Sequence, residues 1–486
     1  MLENTAGLYA AFKAKDVRFD GRVFVGISST GIYCRPICKA RQSKIENCTY
    51  YSTAAEAEQA GYRPCLLCRP ELAPGASIAD ASSNLARRAA RLLEESCGSG
   101  LSLGELAVRL SCTDRHLRRV FTAQYNVSPV QYLQTCKLLL AKNLLTDTSL
   151  SVLEVAMASG FGSLRRFNDL FKKHYNLVPT ALRKRVSEGK GQNGYITLAI
   201  GYRPPYPWEE MLRFLAGRAI LGVDMAKDNE YLRTVHLITA AGKHVYGWVR
   251  VGHKPQKNAL TVTLSETLLP VLPQVLARVR HLFDLYCDPE AVYEVLQSMN
   301  AIRPNLCVLG TRLPGCFDSF EMAVRAVLGQ QITVKAASTL AARITETYGT
   351  PIKTGVDGLT HVFPSPGDIL SLDGAIENHL GQLGVIASRS RTIYDLAQAF
   401  TQGIIDFDLC AEPEKEMEKL MAIRGIGSWT AQYIAMRAME WPDAFLETDV
   451  GIKKAIPDRT PKELLAMAES WRPWRSYATI NLWNTL

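Results

Sequence analysis

No low-complexity tract interrupts this 486-residue chain, and no apolar run is long enough to cross a bilayer. The opening residues, MLENTAGLYAAFKAKD, lack the charged-then-apolar pattern of an export signal. Together these absences argue against a membrane partner and lead us to expect a soluble, cytoplasmic protein. Acidic residues are short in one region only. Of the formal net charge of +9, residues 1–190 hold 27 Lys+Arg against 16 Asp+Glu (+11), and the remainder 29 against 31 (−2). A basic front half suits a polyanion. Twelve cysteines without an export signal point to metal or reactive thiols rather than disulfides. Five lie between Cys34 and Cys68; the others, Cys97 to Cys410, read as ordinary thiols. A chain of this length holds about three or four domains.

Two close cysteine pairs, Cys34-x3-Cys38 and Cys65-x2-Cys68, joined by a loop, are what a tetrahedral thiolate Zn2+ site needs. A purely structural zinc knuckle meets the same spacing. The words around them, Thr30-Gly31-Ile32-Tyr33-Cys34-Arg35-Pro36-Ile37-Cys38 and Gly61-Tyr62-Arg63-Pro64-Cys65-Leu66-Leu67-Cys68, resemble the N-terminal domain of the Ada alkylation-response family over about residues 5–75. That resemblance implies that one ligand is also a nucleophile. It places the methyl acceptor at Cys34, completes the site with Cys38, Cys65 and Cys68, and makes Arg41 and Arg63 phosphate contacts. Leu67 stands where the best-known family member has a basic residue, and Cys48 receives no role. Zinc holds thiols as thiolates, the nucleophilic form. Four thiolates on one Zn2+ make a dianion, which favours an uncharged methyl phosphotriester over an anionic phosphate. On the resemblance and this charge count, methylation of Cys34 would remove one negative charge, raise affinity for DNA and have no reset.

Next the chain repeats itself. Glu105-Leu106-Ala107-Val108 recurs as Glu154-Val155-Ala156-Met157, and Phe121, Tyr125-Asn126 and Pro129 recur as Phe171, Tyr175-Asn176 and Pro179. Each copy reads as helix, turn, helix, with Leu117, Val120 and Phe121, or Phe167, Leu170 and Phe171, facing inward; a linking helix runs from Pro129 to Leu145. Two such units resemble the AraC-type DNA-binding domain, whose recognition helices would enter successive major grooves. Arg115, His116 and Arg119 in one helix, and Arg165, Arg166 and Asn168 in the other, are candidate DNA contacts.

A polar linker, Ser187 to Gly194, separates the basic front from the near-neutral back. Ile196–Ile200, Val235–Ile238, Tyr246–Val251 and Ala259–Leu264 read as strands, with a helix over Trp208–Leu221. From about residue 283 the chain reads helical to its end. Two short helical patterns flank Gly425-Ile426-Gly427, and Asp449 follows. Glycines let backbone amides approach a phosphate, and the start of the following helix favours that charge. GIGSWTA, then FLETD, with Pro204-Pro205-Tyr206, Phe214-Leu215-Ala216 and Phe320 to Gln331, resembles the AlkA-type DNA-3-methyladenine glycosylases over most of residues 195–486.

That resemblance implies base extrusion, with Gln331, apolar in a well-known relative, filling the vacated stack and Gly425 and Gly427 gripping the strand. Asp449 would stabilise positive charge developing on the sugar. Glu447 is a rival for that role, and capping the next helix is an alternative duty for Asp449. Trp429, Tyr433, Trp483 and Phe214 would offer aromatic faces to a cationic base; Trp474 and Tyr477 read as packing. The family further suggests a monovalent cation on the hairpin's carbonyls. Ser428 to Glu440 contains no lysine, so a Schiff-base lyase step has no nucleophile there. No cysteine follows Asp449 to hold a cluster, and no Pro-Cys-His-Arg marks a second methyl acceptor.

The expected architecture is multidomain α+β: a small zinc-binding α/β domain (1–78), an all-α double helix-turn-helix domain (79–188), a small α/β sheet domain (193–282) and an all-α helix-hairpin-helix domain (283–486). The expected activity is transcriptional response to DNA alkylation joined to release of alkylated purines, with double-stranded DNA and the transcription machinery as partners. The alternatives are a regulator whose glycosylase-like half only binds DNA, and a repair enzyme tethered by structural zinc.

Overall fold

The computed structural model describes residues 5–74, 84–97, 102–184, 194–407 and 412–486. Short apolar strands broken by glycine turns open the chain: β1 (Phe24–Ile27), β2 (Ile32–Cys34), β3 (Cys48–Tyr51) and β4 (Arg63–Pro64), ordered β3-β1-β2-β4. β2 and β4 run parallel, with Tyr33 opposite Pro64, so the residues that follow, Cys34 and Cys65, emerge side by side. The Cys65 amide donates to the Tyr33 carbonyl at 3.0 Å.

Both recognition helices form, Asp114–Tyr125 and Leu164–Tyr175, capped at their starts by Thr113 and Ser163. The repeated Tyr-Asn pair has a physical reason: Asn126 (φ 55°) and Asn176 (φ 52°) end the two helices in the left-handed conformation, which asparagine tolerates. Leu117, Phe121, Phe167 and Phe171 are fully buried, with Val120 and Leu170 packed beside them. The linking helix runs Pro129–Asp147, opened by a Ser128/Gln131 capping box.

The back half begins with a five-stranded antiparallel sheet: β5 (Tyr195–Gly201), β6 (Asp224–Lys227), β7 (Glu230–Ile238), β8 (His244–Lys254) and β9 (Ala259–Ser265), ordered β5-β9-β8-β7-β6. β6 was not expected, because Asp-Met-Ala-Lys lacks apolar alternation; pairing with β7 and the Tyr231 hydroxyl on Asp224 (2.8 Å) hold it. The helix expected to Leu221 stops at Ala216. There the Asp224 carboxylate takes the Ile220 amide at 2.6 Å and turns the chain toward β6. Beyond residue 283 helices dominate, but residues 302–318 carry none, and Thr350–Pro351 pairs with His361–Val362 as a short ribbon. Pro304, Gly310, Pro314 and Gly315 break the first of these stretches.

The parts share apolar cores, buried hydrogen bonds and half-buried ion pairs. One apolar cluster joins the second helix-turn-helix unit to the sheet. Glu58 accepts from Tyr33 (3.1 Å) and from Thr135 of the linking helix (3.0 Å), and Arg69 meets Asp147 at 2.8 Å. Arg91, on helix Asn84–Glu95, pairs with Glu440 beyond the end of helix Ser428–Arg437. The linker at Ser187–Gly194 lies outside the described residues except for Gly194, as do Cys410 and the domain boundaries proposed at 78/79 and 188/193.

Candidate functional site

The front domain brings its four cysteines together. The Sγ atoms of Cys34, Cys38, Cys65 and Cys68 all lie within 4.8 Å of one another. Four sulfurs about 2.3 Å from one ion are ~3.8 Å apart in a tetrahedron, so this donor set fits one Zn2+. Cys48 is excluded from the cluster and donates to the Lys44 carbonyl at 3.3 Å. The remaining described cysteines take no part. Cys34, Cys38 and Cys65 are buried, and Cys68 is half-buried. The Arg35 amide donates to Cys68 Sγ at 3.3 Å, and the Arg35 side chain is buried against Asp20. Arg35 was not singled out from sequence; an arginine directly after a ligand was the available signal. Arg41 is exposed and Arg63 half-buried.

In the back half, Asp449 is half-buried and three N–H groups converge on it. Trp483 Nε1 donates to Oδ1 at 2.8 Å, Trp429 Nε1 to Oδ2 at 3.1 Å, and the Ile452 amide to Oδ1 at 3.1 Å. Asp449 therefore caps helix Val450–Ala455 and also faces two of the expected aromatics. Glu447 makes no comparable contact among the described residues. The four aromatics do meet: Trp429 stacks on Tyr433 with centroids 5.2 Å apart, Tyr433 lies 6.2 Å from Trp483, and Trp483 runs parallel to Phe214 at 6.4 Å. Trp474 and Tyr477 are buried and pack edge to face.

Two arginines border this cluster that sequence reading missed. Arg437 is buried, donates to the Pro314 and Gly315 carbonyls, and reaches the Tyr433 hydroxyl at 2.9 Å. Arg218 sits over the Phe214 ring at 3.7 Å. Burial resists ionisation of Tyr433, yet the guanidiniums of Arg437, Arg218 and Arg325 draw its phenol below the usual tyrosine range.

The glycine hairpin lies beside this cluster, because Trp429 belongs to the first turn of helix Ser428–Arg437. Its two glycines do different work. Gly425 has φ 95°, and a Cβ there would meet Thr392 Oγ1 at 2.2 Å. Gly427 is exposed and has no atom within 4 Å of a Cβ, which leaves its backbone open to an incoming strand. Gln331 is exposed at φ 54°, while Thr333 caps the helix that follows, so Gln331 is free of that duty. Its neighbour Gln330 donates to the Gly425 carbonyl at 2.9 Å and ties the two turns together. Thr392 takes the Arg424 carbonyl at 2.8 Å, so two of the carbonyls that a cation could use already have protein donors.

Arg115, His116, Arg119, Arg165 and Arg166 are exposed on their recognition helices, and Asn168 is half-buried. Arg119 and His116 touch at 3.2 Å.

Family models match in four consecutive stretches: the metal binding domain of Ada over residues 7–71, a helix-turn-helix domain over 106–185, the AlkA N-terminal domain over 197–318, and the HhH-GPD superfamily base excision DNA repair protein over 324–474. DNA-3-methyladenine glycosylase 2 of Escherichia coli is 36% identical, the alignment covering 59% of this chain and 96% of the relative. The bifunctional transcriptional activator/DNA repair enzyme Ada of Escherichia coli is 36% identical over 25% of this chain and 33% of its own. The "probable bifunctional transcriptional activator/DNA repair enzyme AlkA" of Mycobacterium tuberculosis is 34% identical over 98% of this chain and 96% of its own. With a likeness running nearly end to end through all four parts, this chain belongs to the family of bifunctional transcriptional activator/DNA repair AlkA proteins.

Proposed function

We propose that this chain takes a methyl group from DNA methyl phosphotriesters, activates transcription in response, and hydrolyses the N-glycosidic bond of alkylated purines such as 3-methyladenine and 7-methylguanine. The domains divide at 1–78, 79–188, 193–282 and 283–486. DNA is the common partner, and the transcription machinery is the partner of the methylated form.

Cys34 is the methyl acceptor. A bound Zn2+ keeps the four sulfurs as thiolates at neutral pH. The Cys34 sulfur forms a bond to the methyl carbon, the carbon–oxygen bond breaks, and the phosphate leaves as the diester anion. Cys68 is more accessible, but its sulfur already accepts the Arg35 amide, which withdraws electron density; no such bond burdens Cys34 among the described residues. The thioether is not reversed, so each chain reacts once. Arg41 and Arg63 contact the flanking phosphates; Arg115, His116, Arg119, Arg165 and Arg166 contact the operator.

Asp449 carries the glycosylase reaction. Its convergence with two indoles beside the hairpin supports this reading most strongly. Alkylation at N3 or N7 gives the base a positive charge and makes it a better leaving group. The carboxylate stabilises the cationic sugar and guides water, while Trp429, Tyr433, Trp483 and Phe214 present faces to the base. Gly425 and Gly427 hold the strand and Gln331 fills the gap. Helix Ser428–Arg437 has no lysine, so the reaction stops at an abasic site. Incubation with DNA carrying a radiolabelled methyl group tests both halves. Label transfers to Cys34 and is lost in Cys34→Ala; free methylated purine is released and is lost in Asp449→Asn. Release that survives Asp449→Asn would leave the back half a DNA-binding module only. Label recovered at Cys68 would move the acceptor.

A further inference from the structure

The aromatic cluster beside Asp449 already carries a cation. Arg218 lies just past helix Trp208–Ala216, and its guanidinium carbon is 3.7 Å from the Phe214 centroid and 6.0 Å from that of Trp483. It is planar and positively charged, as an N-alkylated purine is. The other two arginines of this region are fastened. Arg437 is held by two backbone carbonyls and the Tyr433 hydroxyl. Arg325 is held by Glu321 at 2.9 Å and by the Arg218 carbonyl. Arg218 differs in degree: among the described residues it forms no ion pair, and its guanidinium is held by the Tyr433 hydroxyl and by the Phe214 carbonyl at 3.3 Å. Burial with no carboxylate partner lowers its hold on the proton. A long side chain kept in place by ring faces and two hydrogen bonds, with no carboxylate to leave behind, can swing into solvent, where water replaces those bonds.

We propose that Arg218 is a resident competitor for the base-stacking face: it covers Phe214 in the free protein and leaves when an extruded base arrives. This rests on the base-pocket reading above. Every base must then displace the guanidinium, so apparent affinity falls by the fraction of molecules in which the face is open. A cationic base repels the guanidinium and regains the ring's attraction for positive charge, whereas an undamaged base that escapes the stack briefly meets an occupied face. The open fraction is about one-tenth if the stack is a cation–π contact of ordinary strength. Removing the side chain therefore strengthens binding, whereas removing a residue that contacts the base would weaken it.

The test is a titration of the full-length, zinc-loaded protein with free 3-methyladenine, read by quenching of tryptophan fluorescence. Arg218→Ala should bind about tenfold more tightly than the unaltered chain, with Arg218→Lys between them. It should also release undamaged purines from DNA faster. The fold is not at risk, because Arg325 contacts the Arg218 carbonyl, which the substitution keeps. Equal or weaker binding in Arg218→Ala overturns the proposal, as does absence of quenching in all three proteins. Failure of the glycosylase reading is separate: it appears as base release that Asp449→Asn does not reduce, whatever the titration gives.

Discussion

Gly451 lies against the hydrogen bond between the Asp449 carboxylate and the Trp483 ring, and adding one methyl group there tests what that carboxylate does. A Cβ at residue 451 would lie 2.8 Å from Trp483 Cδ1, 2.9 Å from Trp483 Nε1 and 2.9 Å from Asp449 Oδ1. Carbon contacts normally relax to about 3.5–4.0 Å, so Gly451→Ala must push the indole or the carboxylate back by roughly 1 Å. Indole Nε1 and Oδ1 are 2.8 Å apart now; a shift of that size takes them past hydrogen-bonding distance. A hydrogen bond to a charged group contributes about 1.5–3 kcal/mol, which corresponds to a loss of about 10–150-fold in kcat/KM if the bond orients the acid in the transition state. Overpacking costs about 1–3 kcal/mol of stability, and helix propensity offsets part of it. Residue 451 is helical with an ordinary φ, and alanine in place of glycine favours a helix by up to ~1 kcal/mol. The assay is single-turnover release of 7-methylguanine from methylated DNA, beside a thermal melt. A variant that turns over normally, with Tm unchanged or raised, would refute the argument, because it is what a mere helix cap predicts.

Gly427→Ala should fold normally, since nothing within the protein meets its Cβ, yet bind DNA about tenfold more weakly in a fluorescence-anisotropy titration, because the methyl group stands where the phosphate must approach. Burial pushes the Glu58 carboxyl up to about 8, against the hydroxyls of Thr135, Tyr33 and Tyr175. Its contribution to stability is thus intact below about pH 4 and lost as pH rises through about 8; melts between pH 5 and 9 should decline by up to a few kcal/mol in the unaltered chain and stay flatter in Glu58→Gln. Arg91→Ala leaves half-buried Glu440 without its guanidinium and should cost about 1–2 kcal/mol, seen as faster hydrogen exchange in residues 84–97 and 428–440. Burial raises the Glu440 carboxyl, but Arg91 and His281 outweigh it and hold it down at about 2; the pair's stabilisation is present above about pH 4.5 and is lost as pH falls toward 2. Stripping Zn2+ with a strong chelator should unfold the first domain by circular dichroism and abolish methyl labelling, with base release retained.

Local patterns made much of this legible. The cysteine pairs named their own ligands, since spacing alone brings thiols to one ion, and β2 against β4 supplies the register that spacing leaves unstated. The repeated Tyr-Asn was visible as a repeat, and the left-handed caps explain why it recurs. Phe214 and Trp483, 269 positions apart, were placed together only by resemblance. What stayed hidden depends on contacts between remote segments. Arg218 looks like any surface arginine until the Phe214 ring is found under it. Gln330 lies inside the stretch Phe320 to Gln331 that carries the resemblance, but it was given no role; that role exists only because Gly425 lies across from it. β6 escaped for a related reason, its strand character coming from its neighbour rather than from its own residues.

The Gln330–Gly425 bond has a corollary for how lesions are found. If the glycine turn grips the strand and Gln331 enters it, as proposed, this bond sets a fixed spacing between them, like a ruler. Grip and probe would then advance along the duplex by the same count. Chain-length variation between residues 331 and 425 must then be absorbed in outlying loops, such as the ribbon at 350–362, which leaves the ruler unchanged.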